Sequence, residues 1–166
     1  MTNQYCLNGK DRFLSVDDNF VTIYEQGSAY KKVVFSHATW AQLVQQLDQI
    51  NEIVHTLHDP TTDVKYQYHI GERWYVTVKK NFACVDIRNF YYHREKGPRP
   101  GITGIALRIG EWKTLSELVS LIHHIHPTLA NALPCWAQSS HYCVGTCAIC
   151  NPFHMEIEKT SASTTL

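Results

Sequence analysis

No run in the 166-residue chain approaches the eighteen or so consecutive apolar residues of a membrane-spanning helix. The opening stretch from Met1 to Arg12 is polar and lacks the apolar core of an export signal, so a soluble intracellular protein is expected, with no membrane partner. No phosphate-cradling glycine loop occurs and no Ser-His-Asp order is evident, which leaves nucleotide hydrolysis and triad chemistry without a signal. Net charge is also lacking, since 15 basic residues balance 15 acidic ones. What is present is ordinary globular composition, 44% hydrophobic and 18% charged, enough for one sizeable core or two small ones.

The zero net charge conceals an uneven distribution. Val64 to Lys113 holds ten Lys or Arg against Glu72, Asp86, Glu95 and Glu111, whereas residues 1–63 hold four basic and eight acidic side chains. Residues 114–166 hold one basic and three acidic. A basic middle between acidic ends points to a polyanion site in the middle; a solvated charged surface is the plainer alternative.

Four short alternating stretches rich in Val, Ile, Tyr and Trp occupy that middle: Lys65 to Ile70, Arg73 to Lys79, Ala83 to Phe90 and Gly104 to Ile109. They read as strands. Trp112, Leu115, Leu118, Val119, Ile122 and Ile125 then recur at helical spacing as far as Pro127. The first part of the chain repeats this grammar, RFLSV at Arg12 to Val16 against WYVTV at Trp74 to Val78, and Trp40 and Leu43 against Trp112 and Leu115. Its helical stripe runs from Trp40 to Leu57, and Gly9 and Gly71 stand at equivalent turns. The expected fold is therefore α+β: two ββββα units, residues 1–58 and 64–127, each with a curved antiparallel sheet and one amphipathic helix. They are joined by a short linker and packed as an intrachain pseudo-dimer, with Trp40 and Trp112 as core anchors. An irregular Cys/His-rich segment (134–157) and a disordered tail (158–166) are expected to follow.

Within residues 66–122 the Tyr75 to Val78 strand, the Val85 to Arg88 segment with aromatics behind it, the Pro100 to Leu107 run and Trp112 resemble a known family. This is the single-stranded-DNA-binding C-terminal domain of transcriptional coactivator positive cofactor 4, with a fainter second copy at residues 5–57. The resemblance implies a non-catalytic single-stranded DNA-binding protein that regulates RNA polymerase II transcription or protects single strands in transcription or replication. It also implies a nuclear location and contact with the transcription machinery.

The contacts it implies fall on Lys79, Arg88, Tyr91 and Arg99, with Lys80, Arg94 and Lys96 as neighbouring basic groups. Lys10, Arg12, Lys31 and Lys32 stand at basic positions of the first copy. Cationic groups suit phosphates and aromatic faces suit unpaired bases. Alternation places Lys79 and Arg88 on the outward face, where guarding a sheet against edge pairing is their duller role. Ile102 and Thr103 replace a basic pair of the family, which favours an alternative, a protein-interaction module that has lost the DNA face.

Six cysteines without an export signal point to free or metal-bound thiols rather than disulfides. Cys143, Cys147, Cys150 and His154 are the expected ligands of a candidate structural zinc, with Cys135 and His141 as substitutes; no other cofactor is expected for DNA binding. Free thiols remain open on the same pattern. His124 and His126 flank Ile125 as in some metal-dependent DNA-nicking enzymes, a remote alternative, because residues two apart on a helix point about 200° from each other.

Overall fold

Along Arg12–Val16 and Trp74–Lys79, buried residues alternate with half-buried or exposed ones, the period-two pattern of a strand with one face on a core. A computed structural model describes residues 2–163 and carries this pattern through two sheets. Strands β1 (Asn3–Cys6), β2 (Arg12–Val16), β3 (Phe20–Glu25) and β4 (Lys32–Ser36) form the first, antiparallel in chain order. Strands β5 (Lys65–Gly71), β6 (Trp74–Lys79), β7 (Cys84–His93) and β8 (Gly97–Arg108) form the second in the same way. Helices α1 (His37–Gln45) and α2 (Leu47–Thr56) follow the first sheet, and α3 (Ile109–Ile125) follows the second. The fold is α+β, with two four-stranded sheets each followed by helix.

Two differences from the sequence pattern have local causes. The stripe from Trp40 to Leu57 is divided at Gln46, whose amide bonds Leu43 O at 3.0 Å, a tightened step that offsets α2 from α1. The residues between Phe90 and Gly104, outside the four expected strand stretches, form a ribbon in which β7 and β8 pair out to His93 and Gly97. Pro98 and Pro100 mimic loop residues in the sequence but lie on β8, an edge strand, where a missing N–H is tolerated. Gly104 permits the close approach at the ribbon's base, since a Cβ there would lie 2.5 Å from Ile87 O.

One continuous core holds both units. Leu14, Val21, Ile23, Phe35 and Trp40 of the first unit and Val76, Val85, Ile87, Leu107 and Trp112 of the second belong to the same buried cluster. Phe35 meets Trp74 edge-on with centroids 6.1 Å apart. Trp40 Nε1 donates to His123 Nε2 at 3.0 Å and Trp112 Nε1 to Asn51 Oδ1 at 2.8 Å, so each anchor tryptophan bonds the helix of the other unit. Gly104 N donates to Tyr30 O at 3.0 Å, and Tyr66 OH to Gln46 Oε1 at 3.1 Å.

Beyond α3 come a short helix α4 (Pro127–Ala130), a single 3-10 turn (Cys135–Ala137), turns, and helix α5 (His154–Ser163). The tail expected to be disordered from Glu158 is therefore helical as far as Ser163; residues 164–166 lie outside the described residues. No helix among the described residues is long and apolar enough to cross a membrane.

Candidate nucleic-acid interface and metal centre

Register assembles the outward face of the second sheet. Lys65 lies opposite Lys79, Tyr75 opposite Arg88, and Thr77 opposite Asp86. Thr77, Lys79, Phe82, Asp86 and Arg88 border a hollow of 260 Å³, with Phe82 60% exposed at its rim. Lys79 is exposed. Arg88 is not free: Nη2 bonds Asp86 Oδ1 at 2.9 Å, while Nη1 reaches Gly101 O at 3.3 Å and Ile102 O at 3.2 Å. The guanidinium thus ties the base of the ribbon together and neutralises the acid beside it, whereas Lys79 and Lys65 are exposed cations of the sheet face with no ion pair among the described residues.

Aromatic rings cross the same face. Tyr75 stacks on Phe90 with centroids 4.2 Å apart and meets His69 at 4.9 Å. Burial pushes the Tyr75 hydroxyl's pKa up and the His69 imidazole's down, so His69 favours the neutral form and donates through Nε2 to Glu72 O at 2.6 Å. The register shift between Arg88 and Phe90 breaks simple alternation along β7. On the ribbon, exposed Tyr91 lies opposite exposed Arg99. Arg94 and Lys96 project at its turn, which His93 pins by accepting from the amides of Glu95 at 3.2 Å and Lys96 at 3.1 Å.

Several expected contacts stand elsewhere. Arg12 is a structural ion, only 8% exposed, held by Glu111 at 3.0 Å, Glu25 at 3.2 Å and Ala106 O at 2.6 Å. It joins the two units and is turned away from solvent, contrary to the expectation of a nucleic-acid contact. Lys31 pairs with Glu25 at 3.2 Å, and Lys80 Nζ donates to Pro60 O at 2.7 Å, binding the linker to the second unit. Lys10 and Lys32 are exposed on the first unit. Lys65 and Phe82 escaped sequence reasoning; cross-strand register with Lys79 was the signal for the first, and a lone apolar residue in a polar turn for the second.

The tail gathers a different ligand set from the expected one. Cys135, His141, Cys147 and Cys150 place their ligand atoms within 4.8 Å of one another. Cys135 Sγ lies 3.7 Å from Cys147 Sγ, and Cys150 Sγ lies 3.2 Å from His141 Nε2. A disulfide needs about 2.05 Å, whereas two thiolates on one tetrahedral zinc with bonds of about 2.3 Å stand about 3.8 Å apart. The amides of Cys150 and Ile149 aim at the Cys147 sulfur and lower its pKa to about 6, while burial and the neighbouring thiols push Cys150 up to about 12. This asymmetry is what crowded thiols produce when one is already anionic. Cys143 is exposed and faces Thr146, whose hydroxyl lowers its pKa, and His154 is turned to Asn151 O at 3.0 Å. The 3-10 turn after Pro134 carries Cys135 inward and substitutes it, with His141, for those two.

His124 and His126 join no cluster of metal-ligand type among the described residues, and His126 Nε2 instead lies 3.1 Å from Asn3 Nδ2. No curated protein and no solved structure matches the chain. Residues 69–118, from β5 through the ribbon to the middle of α3, match the family model described as Transcriptional Coactivator p15 (PC4).

Proposed function

We propose that the protein binds single-stranded DNA without catalysis, through the outward face of the second sheet and the β7–β8 ribbon, and acts as a transcriptional coactivator in the nucleus. The observation that carries the reading is the distribution along one unit of exposed Lys79 on the sheet face and exposed Tyr91, Arg94, Lys96 and Arg99 on the ribbon, inside the segment that matches the family. Cations can follow a phosphate backbone while exposed rings stack on bases that only a single strand presents. The units 1–58 and 64–127 act as a pseudo-dimer in which the first unit chiefly braces the second and offers Lys10, Lys31 and Lys32 as a flanking basic edge. A structural zinc at Cys135, His141, Cys147 and Cys150 belongs to the same reading.

One observation favours a second reading, a protein-interaction module: the Asp86–Arg88 pair and the Ile102 and Thr103 positions reduce the basic charge of the face. Filter retention of single-stranded and duplex oligonucleotides separates the two. Preferential retention of single strands supports DNA binding, and retention of neither supports the interaction module.

A further inference from the structure

The tail between the 3-10 turn and α5 consists of turns, and Phe153, only 2% exposed, is its one large buried apolar side chain. So little burial does not fix a segment of this length. Yet the segment makes specific contacts with the second unit. Ile149 O accepts from Glu72 N at 2.9 Å, in the β5–β6 turn. Gly71, at φ 131°, lies where an added Cβ would be 3.6 Å from Ile149 Cγ2 and 2.7 Å from Thr39 Oγ1 of α1. Phe153 packs between Tyr92 of the ribbon, 5.7 Å between centroids, and the Arg73 guanidinium, 4.8 Å above its ring. Arg73 also pairs with Glu156 at 3.0 Å, and its carbonyl accepts from Phe90 N at 2.7 Å at the ribbon's base.

Ile149 sits between ligands Cys147 and Cys150, and Phe153 follows three residues after Cys150. We propose that zinc held by Cys135, His141, Cys147 and Cys150 acts as a clasp that fastens the β7–β8 ribbon to the body of the protein. The metal fixes the knuckle that presents Ile149 to the β5–β6 turn and Phe153 to Tyr92. The inference rests on the zinc reading above but not on DNA binding. Metal affinity of such a set supplies order where apolar burial is small.

Native mass spectrometry of the full chain together with hydrogen exchange tests it. One zinc per chain is expected, lost in Cys147→Ser and on treatment with a strong chelator. Removal of zinc should speed amide exchange in Tyr91–Arg99 at least tenfold while strands β2–β4 of the first sheet, residues 12–36, are unchanged. Phe153→Ala should retain zinc and show the same faster exchange, separating the clasp from metal binding. Absence of zinc from the freshly prepared protein, tested also after zinc addition, overturns the zinc reading and the clasp with it. Bound zinc with unaltered ribbon exchange on its removal and in Phe153→Ala overturns the clasp alone, as does acceleration spread equally over both sheets.

Discussion

Trp112 donates its indole hydrogen to Asn51 at 2.8 Å across the boundary between the units, and Trp40 makes the reciprocal bond to His123 at 3.0 Å. Each acceptor stands eleven residues after the tryptophan of its own unit, so the repeat in the sequence is also a repeat in the contacts. A related pair of helices exchanging equivalent bonds is the signature of a dimer interface carried within one chain.

Asn51→Ala leaves the nearly buried Trp112 indole without its acceptor. A loss of about 1–3 kcal/mol is expected, and for a chain of this size each kcal/mol lowers Tm by about 2–4 °C. Thermal unfolding followed by tryptophan fluorescence measures it. Because the interface is internal, Tm should not change on hundredfold dilution; a Tm that falls with dilution would place the stabilising contact between chains.

Burial lowers the pKa of His123, the acceptor for Trp40. The unfolded chain therefore takes up a proton near pH 6.5 that the folded chain resists, so this contribution is complete above about pH 6.5 and is lost as pH falls toward the folded value. His123→Gln removes the dependence. The difference in Tm between wild type and variant should be larger at pH 7.5 than at pH 5.5, as scanning calorimetry at the two pH values would show.

Glu111 is buried between Arg12 and Asn8, with Arg12 at 3.0 Å and Asn8 at 3.0 Å, and its carboxylate also accepts from Arg108 N at 2.8 Å as a helix cap. Glu111→Ala leaves Arg12 with Glu25 as its remaining acid partner and removes the acceptor of Asn8 Nδ2 and Arg108 N, with an expected loss of about 1–3 kcal/mol. Urea unfolding checks the value, and Lys10→Ala, at an exposed site, should lie within about 0.5 kcal/mol of wild type.

The alternating strands, the helix opening at Trp112 and the internal repeat were legible because periods of two and 3.6 report directly which face meets a core. Arg12 was misread for a physical reason: its sequence neighbours resemble a basic sheet edge, while the acids that bury it, Glu25 and Glu111, come from a neighbouring strand and from the other unit. The ribbon was hidden by Pro98 and Pro100, since sequence alone does not tell an edge strand from a loop. The tail presented six ligand-type side chains, and the choice among them follows from a 3-10 turn that spacing does not encode.

Arg88 and Lys79 should separate on mutation. Arg88→Ala removes the ties to Asp86, Gly101 and Ile102 and is expected to lower both Tm and DNA affinity, by about 1–3 kcal/mol in stability. Lys79→Ala should lower affinity and leave Tm within about 2 °C of wild type, since its exposed ammonium supports no buried group. Parallel melting and binding curves decide between structural and contact roles for each residue.

The central claim, that this face grips single strands through phosphates and bases, is tested most directly by fluorescence anisotropy of one labelled oligonucleotide. It is measured single-stranded and as duplex across a salt series, with wild type and Lys79→Ala. Tighter binding of the single strand is predicted, with log K falling linearly in log salt and the slope reduced by about 0.7 in the variant, one phosphate contact fewer. Equal affinity for the duplex, or a slope untouched by loss of Lys79, would contradict it.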